Sequence, residues 1–261
     1  LRSSSSASAS SSSSSSSGTS GTSSSSAGIG DESAGTCVVS AALAFLQGKK
    51  KVVECLSPAD YAAVDQAIGA SVGSHMRHSL DHFSKCLAVL PQPGISTAAD
   101  TNSRTSSKPN KMIRYDHRTR GGTIETDPAE AAKAISGLLA RLDALPQGGS
   151  SAALLRRTIV SPAFFLGEGG AGATGEQEHE FESNLERELF FCCHHGTHHD
   201  AMIKLILGRM EGAAARKALS ESGGSLGVAP STVDFQQQQQ RQREEEELQN
   251  RKGKDRADAE D

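Results

Sequence analysis

Apolar residues recur at helical spacing in four long stretches of the chain, with polar or glycine-rich segments between them. The first, Thr36 to Leu56, reads as one helix or as two pieces broken around Gly48. Ser57, Pro58 and Asp60 then supply a capping hydroxyl, a proline at the first helical position and an acid at the third, which predicts a helix start. The second long helix is expected over about Ile68 to Leu90 and ends before Pro91 and Pro93, with residues 91–110 as a polar linker. Met112 to Asp127 reads as an extended or looped connection. It leads into a third helix with Asp127 as its cap and Pro128 in its first position. Leu154 to Val160 has β character, and a loop rich in Gly, Ala and Glu covers about 167–180. The fourth helix is expected to open on a capping box of Ser183 and Glu186 and to run to about Met210. Four amphipathic helices with one or two short extended pieces predict an all-α chain, an up-down-up-down four-helix bundle.

Successive helical residues lie about 100° apart, so positions can be assigned to faces by arithmetic. On the fourth helix Leu185, Leu189, Cys192, Gly196, His199, Ile203 and Ile206 form the buried stripe, with His195 one turn before His199 at its side. His198 falls near the margin and His194 further out. On the second helix Ile68, Val72, His75, Ser79, Phe83, Cys86 and Leu90 mark the buried side; His82 lies near the edge and His78 well off the stripe, facing solvent.

Composition narrows the foldable part. Residues 1–35 form a Ser-rich segment with almost no apolar surface, expected to be disordered; 36–233 is the bundle with its inserted loops; 234–261 is a Gln-rich and charged tail that offers little to pack. The core is then expected to draw on about 150 residues. Net charge is -4 with a pI near 6.2, and the basic residues are dispersed, which argues against nucleic acid as a partner. No stretch approaches the roughly 18 uninterrupted apolar residues of a membrane-spanning helix. Five cysteines, an odd number with no CxxC pair, predict neither a disulfide framework nor a structural zinc site, and point to the cytoplasm or another reducing intracellular compartment. The sequence opens on Leu1 rather than Met, so residues ahead of it are expected, and the Ser-rich leader, with Arg2 and no acid before Asp31, faintly resembles an organelle transit peptide.

The histidines change the picture from bundle to candidate metal protein. Two imidazoles one helical turn apart, His195 and His199, can aim nitrogens at a common ion, and His75 from a facing helix can close one side of its coordination sphere. Three neutral polar rings on core stripes would otherwise each need a buried partner. Glu188, on the same side as His195, is placed either to orient an imidazole or to pair with an arginine. Cys192 and Cys193 read as packing residues rather than nucleophiles. Tyr115 to Arg120, "YDHRTR", either lays a polar rim over one end of the bundle or caps helices.

"ASVGSHMRHSLDHF", "YDHRTRGGTIETD", "ERELFFCCHHGTHHDAMIK" and "LGVAPSTV" resemble, in that order, segments of a branch of the DinB-like (damage-inducible B) superfamily. The similarity spans about Leu56 to Val233 apart from inserted loops. The resemblance implies a four-helix bundle with one divalent metal held by three histidines. Carried over, His75 matches the ligand from the second helix, with His78 as the rival placement, and His195 and His199 match the H-x3-H pair. Zinc, nickel, iron and manganese all suit such a set. Some members of the superfamily look like thiol-dependent transferases or isomerases, so a low-molecular-weight thiol is an expected partner; a noncatalytic metal-binding or interaction bundle is the alternative, and a homodimer is a further expectation. The chain departs from the pattern at Asp200, where an aromatic residue is common.

Overall fold

Short polar side chains set where the helices begin. In the computed structural model, which describes residues 32–90, 111–117, 120–146, 149–165 and 178–257, helix α1 covers Glu32–Val53 and α2 covers Pro58–Ala62. Ser57 Oγ accepts from the Asp60 amide at 3.1 Å and so caps α2 as expected. A two-stranded hairpin, β1 Val64–Asp65 with β2 Ala70–Ser71, precedes α3, Val72–Ala88. The helix therefore starts four residues later than the apolar pattern suggests. Gly69 turns the hairpin at φ 72°, and Ser71 and Ser74 cap α3 reciprocally.

Strand β3, Met112–Arg114, and a 3-10 turn at Thr123–Glu125 lead to α4, Pro128–Asp143, capped by Asp127 as expected. The stretch expected to be extended around Leu154 divides in two: α5 runs Gly149–Arg157, and β4, Ile159–Phe165, takes over at the β-branched pair Ile159 and Val160. Strands β5, Glu178–Glu180, and β6, Ser183–Asn184, follow, then α6, Leu185–Arg209, α7, Ala213–Glu221, and α8, Pro230–Ala257. Because Ser183 belongs to β6, the expected capping box is replaced: Asn184 Oδ1 caps α6 by accepting from the Arg187 amide at 2.9 Å, and Glu186 instead accepts from Arg156 Nε at 2.9 Å.

The protein is predominantly helical, but not all-α. Strand β4 pairs in parallel with β3 and antiparallel with β5 and β6. Among the long helices, α3 packs most extensively against α6, α1 against α4 and α6, and α3 also against α4; α5 and α7 fill in beside α1 and α6. Leu46 of α1, Met76, Phe83 and Leu87 of α3, Ile135 of α4 and Leu185 and Ile203 of α6 are fully buried where these helices meet. Such burial contributes about 1.5 to 3 kcal/mol per large apolar side chain. No helix among the described residues is long and apolar enough to cross a membrane.

Two terminal expectations fare differently. The Ser-rich segment up to residue 31 and the polar linker 91–110 lie outside the described residues. The Gln-rich and charged tail, expected to lack structure, is helical to Ala257, with every side chain from Asp234 to Gln249 exposed. Gln, Glu, Arg and Lys are good helix formers, and the Gln240 amide donates to Glu244 at 2.9 Å one turn on, so this helix forms without a buried face.

Helix α3 approaches the 3-10 turn so closely that a Cβ on Gly73 would overlap the Glu125 carbonyl and lie 2.8 Å from the Tyr61 ring. In an open helix Gly→Ala gains about 0.5 to 1 kcal/mol; here backbone overlap dominates. Gly73→Ala is expected to destabilise the fold by about 1 to 3 kcal/mol, and an unchanged or raised urea midpoint would contradict this close approach.

Candidate metal centre

Because α3 and α6 lie side by side, they bring His75, His78 and His82 against His195 and His199. The His195 Nε2 atom is 3.2 Å from His78 Nε2 and 3.0 Å from His199 Nε2; His199 Nδ1 is 3.0 Å from His75 Nδ1. The His82 ring centroid lies 4.3 Å from that of His195 and 4.8 Å from that of His78. Five imidazoles form one continuous cluster.

Three of them could hold a common ion: ligand nitrogens of His78, His82 and His195 all lie within 4.8 Å of one another. The expected set, His75, His195 and His199, shares one residue with this group, and the rival placement His78 adds a second. Of His75, His195 and His199, only His195 belongs to this group; His199 borders it through His195, and His75 lies one ring further on. The rival first ligand, His78, is a member. It is 8% exposed, against the expectation that it faces solvent, and His82 is 3% exposed. The reason is the width of the covered arc: α3 is packed by α6, α4, the 3-10 turn and β3, so much more than a narrow stripe is enclosed. His78 and His82 also carry the same H-x3-H spacing as the pair on α6, a signal present in the sequence.

The nitrogens cannot all satisfy one another. A neutral imidazole has one N–H and one lone pair, and His195 Nε2 faces two other Nε2 atoms at hydrogen-bonding distance. As a donor it serves one lone pair well; as an acceptor it takes one N–H. A cation bound by several lone pairs removes the conflict, and separations of 3.0 and 3.2 Å are what nitrogens about 2.1 Å from a shared ion would show. Two rings of the cluster are held toward the neutral form: His199 is pushed down to about 2, first by burial and then by His78, His195 and His75, and His75 is lowered by burial, His198 and Lys49.

Aromatic walls hold the cluster. Tyr115, fully buried, stacks on His82 with centroids 4.7 Å apart, and Phe191 stacks on His195 at 5.6 Å. The Tyr115 hydroxyl donates to Glu188 Oε2 at 3.0 Å, and Glu188 Oε1 accepts from Ser183 Oγ at 2.7 Å and Arg187 Nη1 at 2.6 Å. Glu188 thus reaches the histidines through the tyrosine that packs on His82. Within "YDHRTR", Tyr115 is core and Asp116 Oδ2 accepts from the Phe165 amide at 2.8 Å, tying this connection to β4. His194 and His198 are exposed. Asp200 is buried and pairs with Lys49 of α1. No protein-family model, curated protein or solved structure matches the chain.

The nearby thiols are packing groups. Burial raises Cys192 well above the ordinary thiol range and pushes Cys193 up to about 12. At pH 8 only about one Cys193 in ten thousand is thiolate, the reactive form. Alkylation of Cys193 by iodoacetamide in the folded protein is expected to be far slower than that of a free cysteine, read by mass spectrometry; modification at the free-thiol rate would refute this.

Proposed function

We propose that the chain is a divalent-metal-binding protein of the DinB-like kind, with α1, α3, α4 and α6 as an up-down-up-down bundle and the ion held between α3 and α6 by His78, His82 and His195. The single observation that carries this is the crowding of imidazole nitrogens around His195 Nε2. The neighbour relations of the long helices, α1 to α4, α4 to α3, α3 to α6 and α6 back to α1, support a ring of four. His199 supports a variant of the same reading, since its Nε2 is as close to His195 as a co-ligand would be.

The activity that fits is thiol transfer or a related reaction on a low-molecular-weight thiol. A divalent ion in such a site lowers the pKa of a water or thiol that reaches it. The chain's own residues supply the rest. Tyr115 and Phe191 exclude water from one side of the imidazoles, Glu188 fixes Tyr115, and the half-buried His75 and His195 keep the cluster in reach of solvent, as a purely structural ion would not require.

Metal analysis of purified protein is expected to give one ion per chain. His78→Ala and His195→Ala are each expected to lower affinity more than about tenfold, and His75→Ala to leave it within a few-fold; loss in His199→Ala rather than His82→Ala would assign the third ligand to α6. Equal metal content in wild type and in the His78→Ala, His195→Ala double variant would end the metal reading. A chelator that lowers the melting temperature while thiol consumption is absent in loaded and stripped protein alike would leave a noncatalytic metal-binding bundle.

A further inference from the structure

Lys49 and Asp200 form an ion pair whose side chains are 0% and 7% exposed, yet both line a cavity of about 360 Å³ between α1, α6 and residues 222–234. Burying two charges costs several kcal/mol per ion before their attraction is counted, so a packed core has little reason to put them at the wall of a cavity. The Lys49 ammonium has three protons; among the described residues its hydrogen-bond acceptor is one oxygen of Asp200, and the Phe45 ring lies 4.8 Å from it. The remaining walls are mainly apolar, including Leu226, Val228 and Val233.

The roof is built for this position. It is the "LGVAPSTV" segment, and Gly227, at φ 68°, lies so close to α6 that a Cβ there would overlap the backbone of Ala201. Ala41, Thr197, Gly227 and Pro230 also line a second cavity of about 580 Å³, walled by Val38, Phe190 and Ala201. The two cavities are thus neighbours with a shared wall, the second lined also by the exposed His194 and His198.

We propose that the cavity beside Lys49 and Asp200 is a second binding site, distinct from the His78, His82 and His195 group, for a small net-neutral molecule that presents an adjacent hydrogen-bond donor and acceptor on an apolar body. Net neutrality follows from the lining. Lys49 and Asp200 offset each other, and Asp234, at the mouth, is exposed and screened by water. A ligand of unit charge would leave one uncompensated charge beside a pair out of contact with solvent. A carboxamide and an amino-acid zwitterion share the required chemistry: the acceptor meets the remaining ammonium protons and the donor meets the Asp200 carboxylate. The volume is in the range of sites for small ligands.

The test uses the full chain and four probes: hexanamide, leucine, hexanoate and hexylamine. Hexanamide or leucine is expected to raise the melting temperature by about 5 to 10 °C at about a hundred times its Kd, and which one does so identifies the head group; the two charged probes are expected to have no effect. Gly48→Leu, whose new side chain enters the cavity from a helical position with open space around its Cβ, is expected to abolish the shift. So is Lys49→Met, Asp200→Leu, which removes both charges together and so leaves neither unpaired. Metal content measured in Gly48→Leu should stay at the wild-type level, which separates this site from the histidine cluster. No shift with either neutral probe, an equal shift with a charged one, or an undiminished shift in Gly48→Leu would overturn the proposal.

Discussion

Helix α6 carries glycine at position 196, where a Cβ would meet Phe45 Cζ at 2.5 Å and Ser79 Oγ at 3.0 Å. That small residue lets α6 lie close to α3 and α1 at once, and the polar centre depends on it. One residue before Gly196 stands His195, and three after it stands His199, so the closest approach of the helices falls in the middle of the imidazole cluster. A larger residue there would have to displace Phe45 and Ser79, and the ring nitrogens that face each other between α3 and α6, 3.2 Å apart for His78 and His195 and 3.0 Å for His75 and His199, would lose that spacing if the helices moved apart. Packing thus comes before chemistry in this protein.

The centre is costly to fold without an ion. Imidazoles taken out of water lose hydrogen bonds, and those facing another nitrogen recover only some of them. The surrounding structure limits the loss in two ways. Burial keeps His199 neutral, so that its charge need not be buried, and the flat faces of His82 and His195 lie against Tyr115 and Phe191 rather than against aliphatic chains. The sheet has its role here: β3 and β4 pair in register through Ile113 and Pro162 and bring Tyr115 over α3, while β6 holds Ser183 where its hydroxyl reaches Glu188.

Much of this was legible in the sequence, and the remainder was hidden for identifiable reasons. Every residue placed on the inner stripe of α6, from Leu185 to Ile206, is buried, because α6 keeps an exposed face at Arg187, Phe190, His194 and His198 and projection around an ideal helix is then a fair guide. The same arithmetic on α3 misplaced His78, since a helix enclosed by two helices, a turn and a strand has no free polar face to match its polar residues. Caps formed by residues next to their helix, Ser57 and Asp127, could be read locally. The cap of α6 could not, because the pairing of Ser183 with Val160 is a long-range event. Propensity prevailed in the tail: a run without apolar periodicity still forms a helix when its residues favour one.

Residues 199 and 200 show how one turn of α6 serves two surfaces. Adjacent positions point about 100° apart, so His199 joins the cluster facing α3 while Asp200 meets Lys49 on α1. The pairing of Asp200 with Lys49 has an electrostatic sense. Lys49 is close enough to both His75 and His199 to depress their protonation, and the same positive charge would repel a cation held among the rings. Two unit charges several ångströms apart interact by about 1 to 4 kcal/mol across the range from water to a protein surface, enough to shift an ion's affinity by one to three orders of magnitude. Asp200, beside Lys49, supplies the opposite charge and cancels most of that repulsion at the distance of the histidines. Without an acid at 200 the lysine would stand uncompensated, so Asp200 and Lys49 are best understood as one unit that places a buried ammonium beside the histidine cluster with its charge balanced.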